Sequence, residues 1–278
     1  MNWRAVLRLA AFALLVLAIA PPQWVLLRLH RGPHARLLPR AFHRAACRIF
    51  GLRVEASGAP SHGRTVFASN HLSHLDVMVL GSLLDASFVA KDEIDGWPVL
   101  GWLTRLQQTV FVSRDPRAAR AVTAALREAL ASGRSLVLFP EGTSSDGRDV
   151  LPFKSSAFVL FGEPGMQDVC LQPVTVELLA VAGRDSGEGF DRDLYAYHGD
   201  ASLGPHLLRF LGSRGARVGV RFHPPIEVPK DFDRKALAQL VRERVVSGLA
   251  PSDPGAALAP APAHAASCRA APAVITAR

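Results

Sequence analysis

Residues 65–91 read TVFASNHLSHLDVMVLGSLLDASFVAK, and this stretch decides the fold of the chain. Thr65–Ala68 and Ser87–Ala90 are short apolar runs with the length and the β-branched or aromatic content of buried strands. Asp76–Leu84, which lies between them, is predicted to form a helix. The stretch therefore predicts a strand, a helix and a second strand in succession.

The same alternation continues toward the carboxyl end of the chain. Further strands are predicted at Thr109–Val112, Ser135–Phe139, Cys170–Val176 and Val218–Phe222. Helices are predicted to begin at Asp115 or Pro116 and near Asp233, because apolar residues recur there at helical spacing. Since strands and helices alternate along the chain, the sequence predicts an α/β fold.

The amino-terminal end has the composition of a membrane element. Leu9–Ala20 is an uninterrupted apolar run, with Arg4 and Arg8 before it and further basic residues after it. The run is shorter than the roughly 20 residues that a spanning helix needs, and the Pro21-Pro22 pair is expected to interrupt any extension. A kinked or interfacial helix at the anionic cytoplasmic face of the inner membrane fits this pattern best.

Two other interpretations of this segment stay open. A secretory signal would need a small-residue cleavage site, which Ala18-Ile19-Ala20 meets only weakly. A buried core helix is the second alternative. The membrane-anchoring interpretation is preferred because basic residues flank the apolar run on both sides.

Length and composition indicate one catalytic domain with appendages. The chain has 278 residues, of which 49% are apolar and 20% charged. We expect residues 1–50 to form the membrane-anchoring helical segment and residues 51–249 the catalytic domain. Residues 250–278 are rich in Ala and Pro and poor in large apolar side chains, which is typical of a disordered tail.

The formal net charge of +8 restricts the partners less than it first suggests. A basic chain suits nucleic acid, anionic lipid headgroups or polyanionic cofactors equally well. The sequence lacks an RNA-stacking signature and a basic helix with base-reading side chains, so a nucleic-acid partner is disfavoured.

The residues Asn70 to Asp76 are the first candidate for chemistry. His71 and Asp76 follow a predicted strand, where side chains reach a ligand at the carboxyl edge of a sheet. Asp76 could accept a hydrogen bond from one ring nitrogen of His71 and leave the other free to take a proton from a hydroxyl. The alternatives are a helix cap, a core histidine satisfied by the backbone, or a metal site of His71, His74 and Asp76. Metal is disfavoured because no further Cys, His or Glu stands nearby at ligand spacing.

The second candidate is the segment FPEGTSSDG at residues 139–147, directly after a predicted strand. Its Gly-rich turn at Gly142 and Thr143 could offer backbone N–H groups to an anion or oxyanion, and Glu141 adds a carboxylate that could accept from a substrate hydroxyl. Read alone, the segment could also be an ordinary polar turn. Lys154 is predicted to begin another helix. A cation is unfavourable at the positive N-terminal end of a helix dipole, so Lys154 is more suited to binding a ligand than to stabilising the helix.

Two more basic residues directly follow predicted strands. Lys91 follows the strand at 87–90, and Arg114 follows the strand at 109–112 with Ser113 between. Each could be a solvated surface charge, which is the usual role of Lys and Arg. Because both lie at the strand ends that also carry His71 and Glu141, they could form a basic pocket for phosphate.

These motifs in their order resemble the glycerolipid acyltransferase family. The set comprises His-x4-Asp at 71–76, FVSR at 111–114, FPEGT at 139–143 and LQPV at 171–174. The best-known members of that family convert lysophosphatidic acid to phosphatidic acid. The resemblance implies a mixed sheet flanked by helices, a His71–Asp76 dyad, acceptor contacts near Arg114 and Glu141, and a thioester donor carried by coenzyme A or acyl carrier protein.

One position departs from the phosphate-acceptor members of the family. They usually have Arg after Glu-Gly-Thr, where this chain has Ser144. The segments 139–147, 150–156, 197–200 and 205–207 are similar to the subgroup that acylates lyso-ornithine lipid, an acceptor without phosphate. The resemblance therefore favours acyl transfer to lyso-ornithine lipid, with a lysophosphatidic acid acceptor as the alternative. A catalytically silent lipid-binding protein and a thioesterase are further hypotheses.

Overall fold

A computed structural model describes residues 2–29, 37–113, 115–185 and 190–249 of the chain. The helices are α1 (Trp3–Leu29), α2 (Leu37–Phe50), α3 (Asp76–Leu83), α4 (Leu100–Leu106), α5 (Ala119–Ala131), α6 (Leu203–Leu211) and α7 (Arg234–Val246). The strands are β1 (Leu52–Ser57), β2 (Thr65–Ser69), β3 (Ala86–Lys91), β4 (Val110–Val112), β5 (Ser135–Leu138), β6 (Cys170–Val181), β7 (Arg184–Asp185) and β8 (Ala216–Phe222). The predictions for Arg114 and for the tail at 250–278 lie outside the described residues.

The strands form one mixed sheet in the order β1-β8-β6-β2-β5-β3-β4, and the short β7 pairs with β6. β2, β5, β3 and β4 are parallel to one another, whereas β8 runs antiparallel to β6. The predicted mixed α/β sheet is confirmed. Because the carboxyl ends of parallel strands share one edge, the loops after β2 and β5 lie side by side there.

Helices cover both faces of the sheet, as the alternation of side chains along β2 shows. Phe67 packs into a hydrophobic cluster with Phe50 of α2 and Phe210 of α6. Val66 and Ala68 point the other way, into a second cluster that includes α5 and α7. Successive side chains of a strand point to opposite faces, so a continuous apolar run such as β2 predicts burial on both sides.

Helix α1 corrects the prediction that the Pro pair would interrupt the amino-terminal helix. The helix continues through Pro21 and Pro22 to Leu29, although proline cannot donate its backbone hydrogen bond. Tertiary packing holds the helix on both sides of the pair: Ala20 and Gln23 are buried, and Gln23 Nε2 donates to the carbonyl of Leu106 at 3.0 Å.

The continuous α1 is long enough to cross a membrane. Its most apolar 18-residue window has a mean hydropathy of 2.1, and only 11% of that window is buried. Among the described helices, α1 alone has this length and composition. These properties indicate membrane association of the amino-terminal segment.

The remaining differences from the predicted elements are local. The predicted helix at Lys154 is a 3-10 helix, Ser155–Gly162, with Lys154 as its N-cap. The predicted strand at 170–176 continues to Val181 because it pairs with β8 along most of its length. A 3-10 turn, Pro116–Ala118, precedes α5.

Candidate active site

His71 and Asp76 meet at the carboxyl edge of the sheet, between β2 and α3. His71 Nδ1 lies 2.9 Å from Asp76 Oδ2. Asp76 is the first residue of α3, and its Oδ2 also accepts hydrogen bonds from the backbone N–H groups of Leu72 (2.7 Å) and Ser73 (2.9 Å). The carboxylate therefore folds back over the loop that carries His71 and fixes the loop and the ring together.

Tyr195 completes the surroundings of Asp76. Its hydroxyl donates to Asp76 Oδ1 at 2.7 Å, and both side chains are fully buried. Burial, the first cause, and the adjacent Asp76 carboxylate raise the pKa of Tyr195 well above its usual value, so the phenol stays protonated and keeps its donor role. Together with His71, Leu72 and Ser73, Tyr195 gives the buried carboxylate four donors, which offset the cost of burying it.

The hydrogen bond to Asp76 determines which nitrogen of His71 is available for chemistry. A carboxylate only accepts, so Nδ1 carries the proton and Nε2 is the free base of the neutral ring. The ring stacks on Phe139 with centroids 4.0 Å apart, and 20% of the His71 side chain remains exposed. The ring is thus held in a fixed orientation at an accessible surface, where Nε2 could take a proton from a bound hydroxyl.

Glu141, which follows β5, joins the two loops of this edge. Its Oε1 accepts from the backbone N–H of His71 at 2.8 Å, and its Oε2 accepts from the N–H of Leu151 at 3.0 Å. Burial raises the pKa of Glu141 to about 7, against the lowering effect of those two N–H donors. Because both oxygens serve backbone groups, Glu141 positions His71 in this structure.

Gly142, in the turn that follows β5, lies beside Lys154. Gly142 has a φ of 71°, which favours glycine, and its Cα lies beside the ammonium of Lys154, because a Cβ at this position would be 2.4 Å from Lys154 Nζ. The Gly142 N–H donates to the carbonyl of Phe139 at 3.0 Å and is therefore already used within the turn. Thr143 and Lys154 are exposed.

Lys91, the last residue of β3, is half-buried and separated from β2 by the intervening β5. Since strands of a sheet lie about 4.8 Å apart, it is about 10 Å from the His71 loop along the sheet edge. The structure thus brings His71, Asp76 and Glu141 into contact, places Lys154 beside Gly142 in the adjacent turn, and places Lys91 further along the same edge.

The segment that carries Tyr195 and Tyr197, which follows β7, bonds to both loops of the site. The Ser144 hydroxyl donates to the carbonyl of Tyr197, whose own N–H donates to the carbonyl of Leu72 at 2.8 Å. The Ser145 N–H donates to the carbonyl of His71 at 2.9 Å. Ser144 is therefore part of the contact between the FPEGTSSDG turn and the segment that carries Tyr195.

His74 lies apart from the dyad, although it belongs to the same loop. Its ring packs edge-on against Tyr197 and His206, with centroids 5.3 Å away in each case. Burial, and secondarily His206, lowers the pKa of His74 to about 4, so the ring is neutral. No group of three or more potential metal ligands occurs in the described part of the chain.

Tyr195 is expected to act through Asp76, and a Tyr195→Phe variant tests this role. Phenylalanine keeps the packing but removes the donor to Asp76 Oδ1. We expect a loss of about 1.5–3 kcal/mol in unfolding free energy, since the lost bond serves a charged group. We also expect kcat to fall about 10-fold with little change in KM, because Asp76 holds His71 less firmly. Thermal unfolding and initial rates measure the two effects, and an unchanged kcat would limit Tyr195 to a structural role.

Comparison with known proteins agrees with this geometry. Residues 52–177 match the family model described as Acyltransferase. The chain is 40% identical over 248 residues to a lyso-ornithine lipid O-acyltransferase of Brucella abortus, with coverage of 87% of this chain and 92% of the relative. It is 31% identical over 189 residues to a 1-acyl-sn-glycerol-3-phosphate acyltransferase of Neisseria gonorrhoeae, with coverage of 67% and 70%.

A solved structure supports the fold. The crystal structure of the 1-acyl-sn-glycerophosphate acyltransferase PlsC from Thermotoga maritima superimposes with a TM-score of 0.63. It shares 24% sequence identity and covers 89% of this chain and 96% of its own. At this identity the likeness establishes the shared architecture.

Proposed function

Because this chain belongs to the acyltransferase family, we propose that it transfers a fatty acyl group from an acyl thioester to the hydroxyl of lyso-ornithine lipid. The observation that carries the chemistry is the 2.9 Å contact between His71 Nδ1 and Asp76 Oδ2, which leaves Nε2 of a partly exposed ring free. The acceptor is supported by the 40% identity to a lyso-ornithine lipid O-acyltransferase over nearly the whole chain.

The proposed reaction needs one base and one fixed carboxylate. His71 Nε2 removes the proton of the acceptor hydroxyl while the hydroxyl oxygen attacks the thioester carbonyl. The resulting tetrahedral intermediate collapses, the carbon–sulfur bond breaks, and the imidazolium returns the proton to the leaving thiolate of coenzyme A or acyl carrier protein. Asp76 stabilises the transient imidazolium by its charge and keeps the ring in place.

The other predicted site residues have separate roles in this proposal. Glu141 fixes the His71 loop through the two backbone hydrogen bonds at its carboxylate. Lys154, whose ammonium lies over Gly142, is a donor for the oxyanion or for the carboxylate of the ornithine headgroup. The Gly142 N–H is engaged by Phe139, so Thr143 and Lys154 are the better oxyanion donors in this turn. Lys91 would bind the acidic part of a substrate further along the edge, and the same role is proposed for Arg114 from the family resemblance alone.

Ser144 supports an acceptor without phosphate. Its hydroxyl donates to the carbonyl of Tyr197. At the position of Ser144, the phosphate-acceptor members of the family usually have Arg. An acceptor site with one guanidinium fewer loses a bidentate phosphate contact. Lysophosphatidic acid remains the second candidate acceptor because the Neisseria relative, named for 1-acyl-sn-glycerol-3-phosphate, is 31% identical to this chain.

The proposed location and domain organisation follow from α1. We propose that residues 1–50 anchor the enzyme at the cytoplasmic face of the inner membrane and that residues 51–249 form the catalytic domain, whereas the prediction for residues 250–278 lies outside the described residues. The exposed apolar surface of α1 and the lipid acceptor support the membrane location.

An assay with both acceptors tests the proposed specificity. Purified full-length protein is incubated with acyl-CoA or acyl-ACP and with equal amounts of lyso-ornithine lipid or lysophosphatidic acid. We expect kcat/KM to be at least about 10-fold higher for lyso-ornithine lipid, which corresponds to about 1.4 kcal/mol in transition-state binding. Reactions without acceptor measure thioester hydrolysis as the control. A preference for lysophosphatidic acid would contradict the acceptor assignment, and hydrolysis alone would indicate a thioesterase.

A further inference from the structure

The segment between β3 and β4 exposes a cluster of large apolar side chains. Trp97, Val99, Leu100 and Trp102, here called the tryptophan patch, are exposed by 45%, 67%, 38% and 41%. Two tryptophans and two aliphatic residues are thus exposed within six consecutive positions. A patch of this kind on a soluble surface usually marks a site of interaction.

The patch is held in place by hydrogen bonds around a tight turn. The Gly101 N–H donates to the carbonyl of Trp97 at 2.7 Å, and a Cβ at Gly101 would lie 2.2 Å from the Asp95 carbonyl oxygen. Arg105 forms a double hydrogen bond with Asp95, at 2.6 and 2.8 Å. The backbone is thus fixed with its apolar side chains directed outward.

The helix that carries half of the patch packs against the membrane-associated helix. Leu100 and Trp102 belong to α4, whose last residue, Leu106, accepts a hydrogen bond from the buried Gln23 of α1 at 3.0 Å. Near this contact α1 exposes its own apolar residues, including Trp24 at 46% and Val25 at 44%. The patch and the exposed apolar residues of α1 thus lie on elements that pack against each other.

We propose that the tryptophan patch is a second membrane contact, which inserts into the interfacial layer of the lipid leaflet that α1 occupies. Tryptophan is favoured at this layer because its ring has an apolar body and a polar N–H. The patch follows Lys91 at the carboxyl end of β3, the edge that also carries His71. Insertion there would bring the mouth of the active site to the depth of lipid headgroups, where the hydroxyl of a lysolipid lies.

The charges beside the patch indicate what drives the insertion. Asp92 and Glu93 are exposed next to it, whereas Asp95 is paired with Arg105. Exposed carboxylates are repelled by anionic lipids, so the patch would insert through burial of apolar area. We therefore expect the contact to form on neutral phosphatidylcholine and to be insensitive to added salt.

Tryptophan quenching in vesicles tests the contact directly. The chain has four tryptophans, and a Trp3→Phe/Trp24→Phe variant retains only the two of the patch. This full-length variant is reconstituted into neutral vesicles of phosphatidylcholine brominated near the top of the acyl chains. We expect the brominated lipid to quench at least about half of the fluorescence, with the same quenching at high salt.

A matched control places one tryptophan on a similarly exposed residue elsewhere. Leu240 on α7 is 39% exposed, and α7 packs against β6 and the 3-10 helix at 155–162. A Leu240→Trp variant with the four native tryptophans changed to Phe is expected to remain unquenched.

Each other outcome overturns the proposal. Patch tryptophans that are unquenched by brominated lipid but shielded from aqueous acrylamide would be covered by a second copy of the chain. Patch tryptophans that acrylamide quenches freely would lie in water. Because no acyl donor or acceptor is present, this result is independent of the proposed acyl transfer, and the acceptor assay in detergent tests the transfer independently of the patch.

Discussion

A His71→Ala variant is expected to lose acyl transfer by about 10²–10⁴-fold in kcat, the range that a positioned general base contributes. The methyl group cannot take the proton of the acceptor hydroxyl, and His74, the other imidazole of this loop, does not replace His71 because it faces Tyr197 and His206. Release of free coenzyme A thiol in the presence of the acceptor measures the rate. KM for the thioester is expected to change little.

The fold should survive this substitution. Asp76 loses the His71 donor but keeps the N–H groups of Leu72 and Ser73 and the hydroxyl of Tyr195, and the other loss is the stacking of a partly exposed ring on Phe139. Circular dichroism and membrane fractionation check that the variant is folded and membrane-bound. His62→Ala, at an exposed position before β2, is the matched control and should retain the wild-type rate. An active His71→Ala enzyme would refute the role of the imidazole.

The catalytic half of the fold is predictable because its elements are short and fully buried. β2 and β5 are buried along their whole length, and the polar residues Asn70 and His71 follow β2 directly, whereas Glu141 follows β5 after Phe139 and Pro140. The elements that the sequence does not reveal are those with weak local signals. β1 has one buried residue, Leu52, among exposed and half-buried ones at the sheet edge, and α6 begins with Leu-Gly-Pro. The continuity of α1 through two prolines depends on packing against α4, which no local pattern shows.

In the candidate site, too, some contacts could be predicted from the sequence and others could not. His71 and Asp76 are close in sequence, and Glu141 follows a neighbouring parallel strand, so strand ends alone indicate that they meet. Tyr195 is 119 residues from Asp76 and sits in a segment without strong periodicity, so its contact could be found only in three dimensions. The role of Glu141 is likewise tertiary, because its partners are backbone N–H groups of two different loops.

An Asp76→Asn variant separates the charge of the dyad from its geometry, and kcat is expected to fall about 10²–10⁴-fold. The amide oxygen can replace Oδ2 as acceptor for His71, Leu72 and Ser73. The amide NH₂ then faces the Tyr195 hydroxyl, which can rotate to accept instead of donate. The loop should therefore keep its structure, whereas the imidazolium formed during proton transfer loses the negative charge beside it.

The contrast with Asp76→Ala makes this prediction specific. Alanine leaves the buried N–H groups of Leu72 and Ser73 without acceptors, at a cost of about 1–3 kcal/mol each, so this variant should unfold at a clearly lower temperature. Asp76→Asn should unfold close to the wild-type temperature and still be nearly inactive in the thiol-release assay. Asp231→Asn, at an exposed position before α7, controls for the loss of one surface charge. Wild-type turnover in Asp76→Asn would mean that Asp76 only fixes the loop, because the geometry of the dyad would then suffice without its charge.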